Sequence, residues 1–178
     1  MTRFEQCLKH ILQFEGGYVN HPADRGKATN YGITQHVYNS WNALKGRTLE
    51  SVERIDQGEV RDIYKQQYWD ACRCDDLPQP LDMVVFDSAI QHGVRRAVKW
   101  LQHCVLAAAD GIIGENTLFN LHGFVIARRL DEVIENYIDG RTAFYAQLIA
   151  HDPIQQVFSQ GWKNRITALE KFIERPKK

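Results

Sequence analysis

Two carboxylates, Glu15 and Asp24, lie nine residues apart within the stretch FEGGYVNHPADRGKATNYGIT, residues 14–34. Two carboxyl groups on opposite sides of a cleft are the minimum needed to cleave a glycosidic bond. One is kept protonated by a partly apolar setting and donates to the leaving oxygen, while the other stays ionised and activates water or stabilises a cation. Glu15 follows an apolar segment and suits the acid. Asp24 is adjacent to Arg25, which favours its ionised form.

The same stretch combines more polar groups with aromatic rings than an ordinary surface loop does. Thr29 and Thr34 each offer a hydroxyl that can orient a water molecule, so both join the catalytic candidates. The substrate-binding candidates in this stretch are Tyr18, Asn20, Asn30 and Tyr31. Spacing alone leaves ordinary roles open, with Glu15 as a solvated carboxylate near a helix end and Asp24 as a turn residue.

The neighbouring segments must position these groups. Apolar residues at three- and four-residue spacing predict an amphipathic helix over residues 3–14, which Gly16-Gly17 ends. Glu15 is therefore expected at the last helical turn, where the helix dipole does not favour a negative charge. Residues 18–34 mix Gly, Pro, Asn and Asp with short aromatic or β-branched pieces, which favours a small β-hairpin or loop.

The rest of the chain is predicted to be helical, so the fold class is mostly α, with six to eight helices and one small β excursion. A D-x-x-E capping box at Asp56–Glu59 opens one of these helices, and the apolar run Leu81–Ile90 is expected to be central. Five further helices are predicted. One follows Thr34, one spans residues 94–105, and a short one follows the glycine-punctuated turn at 108–118. A long helix spans residues 124–150, and the last begins at Pro153 after an Asp152 N-cap.

Composition limits the function classes. The chain has 178 residues with 44% hydrophobic and 25% charged residues, which is typical of a globular protein. Lys plus Arg and Asp plus Glu are equal at 22 each, which argues against a general nucleic-acid or membrane-surface binder. The N-terminus lacks an apolar signal-peptide core, and no run approaches the roughly 20 apolar residues of a membrane span. Synthesis in the cytoplasm without membrane insertion is expected.

The four cysteines are expected to be reduced and mostly buried, since no export signal is present. Neither a C-x₂-C hook nor an H-E-x-x-H motif occurs, so no metal and no other cofactor is predicted. A monomer is the favoured oligomeric state.

The string EGGYVNHPADRGKATNYGIT resembles the opening signature of glycoside hydrolase family 108, a lysozyme-like group of N-acetylmuramidases. The strings YKQQYWDACRCDDLPQPLDMVVFDSAIQHG, LQ…DGIIGENTL and GWKNR are similar to the second half of that family, usually described as a peptidoglycan-binding region. The resemblance covers essentially the whole chain. Lys27 stands where the family usually has a second glycine, and IQHG stands where an asparagine is usual before the glycine turn.

The resemblance implies a lysozyme-like helical fold and cleavage of the β-1,4 bond between N-acetylmuramic acid and N-acetylglucosamine. It places the catalytic glutamate at Glu15 and the loop aspartate at Asp24. Residues 1–70 are expected to form the catalytic region, and residues 71–178 a helical peptidoglycan-binding region packed with it as one compact unit. Peptidoglycan glycan strands are the expected partner. His92 is a borrowed substrate-binding candidate.

Asp87, in the apolar segment MVVFDSAI, is open to two interpretations. It is either a substrate-binding residue of a groove or a buried, hydrogen-bonded structural carboxylate, because an unpaired charge there would be costly. For the reaction itself, a loop aspartate more plausibly holds a water than contacts the anomeric carbon. Inversion of configuration is therefore predicted, with carboxyl groups about 6.5–9.5 Å apart rather than about 5–5.5 Å.

Two other functions remain as alternatives. A non-catalytic peptidoglycan-binding or secretion-accessory protein would have no need of Glu15, and a lytic transglycosylase would have no need of Asp24. Members of the family resemble both phage lysis enzymes and muramidases dedicated to toxin or protein secretion. The chain is therefore expected to act on periplasmic or cell-wall peptidoglycan after release by a holin-like or other route.

Overall fold

A computed structural model of the chain describes residues 1–20 and 28–174. The chain forms two compact units, Met1–Gln67 and Tyr68–Lys178. The described residues contain eight α-helices and a single two-stranded antiparallel sheet, so the predicted mostly-α, lysozyme-like fold class is confirmed. No helix within the described ranges is both long enough and apolar enough to span a membrane.

The first unit begins with helix α1, Arg3–Ile11, whose apolar face buries Phe4, Cys7, Leu8 and Ile11. Thr2 starts it through a capping box with Glu5. The helix ends three residues earlier than predicted. Beyond Ile11 the chain tightens into a turn, in which the amide of Phe14 donates to the carbonyl of Ile11 at 2.9 Å. Bonds between residues three apart replace the α-helical pattern there.

The predicted hairpin is present in the first unit. Strands β1, Thr29–Asn30, and β2, Ile33–Thr34, pair in antiparallel register. Thr34 also caps helix α2, Gln35–Leu44, because its hydroxyl accepts a bond from the amide of Val37 at 3.3 Å. Helix α3, Gln57–Tyr64, opens with the predicted Asp56–Glu59 capping box, and a π-helical stretch, Lys65–Asp70, follows it.

The second unit is built around helix α4, Leu81–His92, which packs against helices α5, α7 and α8. Every residue of α4 from Leu81 to Ala89 is buried, as the apolar run predicts. The other helices of this unit are α5, Val94–Cys104; α6, Glu115–Ile126; α7, Leu130–His151; and α8, Ser159–Ile173.

Two helix boundaries in the second unit differ from the prediction. The segment predicted as one helix over 124–150 contains the end of α6 and all of α7. Arg128 has a left-handed φ of 57°, which no helix interior accepts, and it separates the two. The predicted Asp152 cap is present, but Pro153 opens a 3₁₀ helix, Pro153–Phe158, before α8 starts at Ser159.

Candidate active site

Glu15 lies just beyond α1, at the end of the turn that follows Ile11, and its side chain is half-buried. The prediction that it occupies the last helical turn is wrong, because the helix ends four residues before it. The influence of a helix dipole falls off within the last turn. The position of Glu15 is therefore set by the residues that surround its carboxyl group and not by the end of α1.

The nearest surroundings come from the turn of the hairpin. Tyr31 and Gly32 connect β1 to β2, and both have positive φ angles, 48° and 73°. A two-residue hairpin loop with positive φ at both positions is a type I′ turn, the loop whose twist matches that of the strands. The amide of Tyr31 donates to the carbonyl of Gly16 at 3.1 Å. This bond ties the turn to the residue that follows Glu15.

Gly32 has a second reason to be a glycine. A Cβ atom added to Gly32 would stand 2.6 Å from Oε2 and 3.0 Å from Cδ of Glu15. The carboxyl group therefore lies directly against the backbone of the hairpin turn, in the space that any other residue at position 32 would fill. The hairpin holds Glu15 from one side.

Tyr64, at the end of α3, completes this arrangement. Its hydroxyl donates to the carbonyl of Tyr31 at 2.8 Å, and Tyr64 is only 1% exposed. The same hydroxyl would lie 2.8 Å from a Cβ at Gly32. The Tyr64 hydroxyl and the Glu15 carboxylate are therefore no more than about 5.4 Å apart, the sum of their two distances to that point. A buried phenol thus fixes the turn on which the carboxyl group rests.

Sequence reasoning missed both Tyr64 and Gly32 as parts of the site. The three- and four-residue spacing of Val60, Ile63 and Tyr64 indicates only that Tyr64 belongs to the apolar face of α3. The available signal was that a buried tyrosine needs a hydrogen-bond partner for its hydroxyl. The signal for Gly32 was a glycine at the position where a tight hairpin needs a positive φ angle.

Gly16 and Gly17 follow Glu15 directly in the chain. Neither has a φ angle in the left-handed region, and a Cβ atom on either would meet no described heavy atom within 4 Å. Backbone conformation and packing within the described ranges therefore do not require glycine here. Tyr18 and Asn20, the substrate-binding candidates that follow, are exposed, Tyr18 by 38%.

The two catalytic threonine candidates are cross-strand partners. Thr29 and Thr34 face each other in the β1–β2 register, and the backbone of Thr29 also pairs with Val19 through two 2.8 Å bonds. Thr34 accepts the amide of Val37 and so serves α2 as an N-cap. Its hydroxyl proton can still be donated. The water-orienting role of both threonines stays a prediction.

Asn30 does not suit the predicted substrate-binding role. Its side chain is 6% exposed, and its amide donates to the carbonyls of Val52 at 3.2 Å and Glu53 at 3.3 Å. These bonds tie the hairpin to the 3₁₀ turn Val52–Arg54. Asn30 is therefore a structural residue, and the interpretation of it as a sugar ligand is wrong. Tyr31 is half-buried, and its substrate-binding role stays a prediction.

Asp24 lies outside the described residues. The predicted groove between Glu15 and Asp24, and the predicted separation of their carboxyl groups, therefore stay predictions.

Asp87 is a structural carboxylate, and its assignment as a substrate-binding residue is wrong. It is 1% exposed and ion-paired with Arg141, whose side chain is fully buried, and with Arg165 at 2.9 Å. Burial opposes ionisation, but the two guanidinium groups prevail and hold the pKa of Asp87 below its usual value. This ion-paired triad links α4 to α7 and α8. Each oxygen of the Asp87 carboxylate is bonded to one of the two arginines.

His92 ends α4 in the second unit, and its Nε2 lies 3.0 Å from the hydroxyl of Tyr145. Its ring packs edge-on against Trp100 and Phe144, with centroids 5.1 and 5.5 Å away. Burial, and after it the nearby Arg141, lowers the pKa of His92 to about 4. His92 is therefore neutral near pH 7, and its substrate-binding role stays a prediction.

Comparison with known families and structures identifies the family of the chain. The family model described as glycosyl hydrolase 108 matches residues 8–93, which include Glu15, the hairpin and Tyr64. The chain belongs to the glycosyl hydrolase 108 family. A second model, described as a predicted peptidoglycan domain, matches residues 96–167. Together the two matches make this family member a glycoside hydrolase whose substrate is peptidoglycan.

The solved structure of SagA from Brucella abortus is similar to this glycosyl hydrolase 108 member over nearly its whole length. The two share 33% sequence identity with a TM-score of 0.79, and the match covers 96% of this chain and 92% of SagA. Comparison with curated protein sequences gives no match.

Proposed function

We propose that this glycoside hydrolase is an N-acetylmuramidase. It hydrolyses the β-1,4 bond between N-acetylmuramic acid and N-acetylglucosamine in peptidoglycan, with Glu15 as the general acid. The observation that carries the proposal is the position of Glu15. Its carboxyl group is half-buried against the turn at Gly32, and a Cβ atom at Gly16 or Gly17 would meet no described atom within 4 Å outside its chain neighbours.

This position suits a proton donor. The backbone of the turn fixes one side of the carboxyl group, so the group is held for an incoming glycosidic oxygen and does not search many rotamers. Its half-exposure leaves another side for the substrate. The two glycines that follow have no side chains of their own to obstruct a sugar ring that approaches Glu15. Tyr64 acts as a positioning residue, because its hydroxyl donates to the carbonyl of Tyr31 in this turn.

The reaction then proceeds as general acid catalysis. Protonated Glu15 donates its proton to the glycosidic oxygen while the bond from that oxygen to C1 of N-acetylmuramic acid breaks. The 4-hydroxyl of N-acetylglucosamine leaves, a water adds to C1, and its proton passes to a base. We assign Asp24 as that base, with Thr29 or Thr34 orienting the water. The product would be inverted, and an NMR time course in which the β-anomer appears first would rule inversion out.

The remaining assignments follow from the same proposal. Residues 1–70 supply the catalytic region, and residues 71–178 the region that binds peptidoglycan. The protein reaches periplasmic or cell-wall peptidoglycan by a holin-like or other route, and its cut serves cell lysis or protein secretion. A neighbouring gene for a holin, a toxin or a secretion apparatus would distinguish these contexts.

Product analysis tests the proposed reaction. Purified sacculi are digested with the full chain, reduced with borohydride and analysed by mass spectrometry. A muramidase produces N-acetylmuramic acid with a reducing end, which borohydride converts to muramitol. Products that end in 1,6-anhydromuramic acid would show a lytic transglycosylase. Reduced N-acetylglucosamine ends would show cleavage of the other glycosidic bond, and either result would overturn the proposal.

A further inference from the structure

A cationic cleft of about 330 Å³ lies in the second unit where α4 ends and α5 begins. It is lined by His92, Gly93, Arg95, Arg96 and Lys99, and we refer to it as the basic cleft. Three of these five residues are cationic at neutral pH and none is acidic. The whole chain carries equal numbers of basic and acidic residues, so this local excess is not a consequence of composition.

The start of α5 adds to the positive potential. Helix α5 has eleven residues, no side-chain cap at its N-terminus and no acidic residue in its first turn. The first amides of a helix lack intrahelical partners and carry the positive end of the dipole. Gly93, which precedes them, is exposed, and a Cβ atom there would meet no described atom within 4 Å. The positive end of α5 therefore adds to the charge of the cleft next to an exposed residue.

The three cations of the basic cleft differ in how they are held and in how far their charge is balanced. The guanidinium of Arg96 lies 4.6 Å from the centre of the Phe144 ring, a cation–π contact that fixes its position. Arg95 packs its Cγ against Gly111 and interacts with the charge of Asp110, so part of its charge is already balanced. Among the described carboxylates, none lies within 4.0 Å of a charged nitrogen of Arg96 or Lys99.

Arg96 and Lys99 are three residues apart on one helix, a spacing that brings their side chains to the same face. An arginine guanidinium donates two parallel hydrogen bonds to the two oxygens of a carboxylate, and a lysine beside it adds a point charge. His92 is neutral and bonded to Tyr145, so it forms a wall of the cleft and not a further charge. The arrangement therefore matches a small anion with planar oxygens.

We propose that the basic cleft binds free carboxylates on the peptide stems of peptidoglycan. The inference rests on the proposed function, since the same polymer supplies both the bond to be cut and the anions. The glycan strand itself is uncharged apart from these stems. A cleft that holds a stem would keep the enzyme on its substrate between cuts.

The test measures binding of the full chain to sacculi. The Glu15→Gln variant is used so that the sacculi stay intact, and phosphodiester-linked polymers are removed beforehand so that stem carboxylates are the remaining anions. The test variant, called the neutral pair, carries Arg96→Gln and Lys99→Gln in this Glu15→Gln parent chain. The matched control is Arg128→Gln with Lys171→Gln, which removes two exposed cations of the same unit that do not line the cleft. A charge-conserving pair, R96K with K99R, checks that loss of charge and not loss of folding is responsible.

The neutral pair at 96 and 99 is expected to raise the Kd for sacculi by about fivefold, as two partly exposed ion pairs would give. The control pair should change it less than twofold, and the charge-conserving pair, which keeps both charges but moves the guanidinium to position 99, should lose less affinity than the neutral pair. Sacculi whose carboxylates have been converted to amides should bind the parent chain as weakly as native sacculi bind the neutral pair.

Three results would overturn the inference: equal loss in the control pair, no loss in the neutral pair, or a loss that amidation of the sacculi does not reproduce. If the parent chain does not bind sacculi at all and wild type does not cut them, the proposed function fails as well. If wild type cuts sacculi but the neutral pair binds normally, only the cleft assignment fails.

Discussion

Replacement of Gly32 by alanine tests whether the hairpin turn positions Glu15. The added Cβ atom would stand 2.6 Å from Oε2, whereas ordinary contacts begin at 3.4 Å. The carboxylate must therefore retreat by about 0.8 Å, the difference between those two distances. A displacement of about 1 Å at a reacting group costs on the order of a hundredfold in rate. We expect kcat for sacculus hydrolysis to fall by about that factor.

Gly46 supplies a matched control within the same unit. Its φ angle of 67° is close to the 73° of Gly32, but a Cβ atom at Gly46 would meet no described heavy atom within 4 Å. Alanine at either position incurs about 1–2 kcal/mol for a left-handed conformation. Only Gly32→Ala adds the overlaps with Glu15 and with the Tyr64 hydroxyl. Both variants should lose stability in thermal unfolding, but Gly46→Ala should keep its activity.

The assay is the initial rate of turbidity loss of purified sacculi, measured below the unfolding temperature of both variants. If Gly32→Ala retains the kcat of Gly46→Ala, the turn does not hold the catalytic group. The reasoning about Glu15 would then be wrong.

Three further outcomes are expected. Tyr64→Phe removes the hydroxyl that donates to the hairpin turn and should lower the free energy of unfolding by about 1 kcal/mol. Its kcat should fall while its KM stays unchanged, and an unchanged kcat would show that the phenol does not position the site. Asp87→Asn leaves Arg141 buried without its carboxylate and should lower the free energy of unfolding by about 3–5 kcal/mol in urea titrations, whereas the exposed Asp139→Asn should change it little. Burial lowers the pKa of His92 to about 4 in the folded chain, whereas the unfolded chain protonates this residue near pH 6.5. The unfolded state therefore binds the proton first as the pH falls. The free energy of unfolding is highest above pH 6.5 and decreases as the pH falls toward 4. His92→Gln should therefore lose less stability than wild type between pH 7 and pH 5, and identical losses would count against this.

Features of the fold that depend on local sequence could be predicted. The Asp56–Glu59 capping box forms between residues three apart, so its pattern is visible in the sequence. The apolar run that became α4 is buried on all sides, as its composition indicates. The end of α1 could not be placed, because the tight turn after Ile11 keeps hydrogen bonds that resemble those of a helix.

The site could be predicted only in part, because only some of its contacts join residues that are close in sequence. Glu15 was found from its motif, but the residues that hold it, Gly32 and Tyr64, reach it only after the chain folds back over long sequence separations. The partners of Asp87 lie 54 and 78 residues away, and no periodicity pairs residues at that range. The bonds of Asn30 to Val52 and Glu53 are equally non-local. The sequence therefore does not show that this side chain is already bonded within the fold.

The most direct test of the account is the hydrolysis of purified sacculi by Glu15→Gln. The amide has nearly the same shape as the acid but cannot donate the required proton, and general acid catalysis contributes at least about a hundredfold. Glu53→Gln, which removes an exposed carboxylate of the same unit, is the control. The account predicts that Glu15→Gln folds normally and loses at least about a hundredfold in rate, while Glu53→Gln keeps the wild-type rate. A folded Glu15→Gln protein that retains more than about a tenth of that rate would contradict the assignment of Glu15 as the catalytic acid.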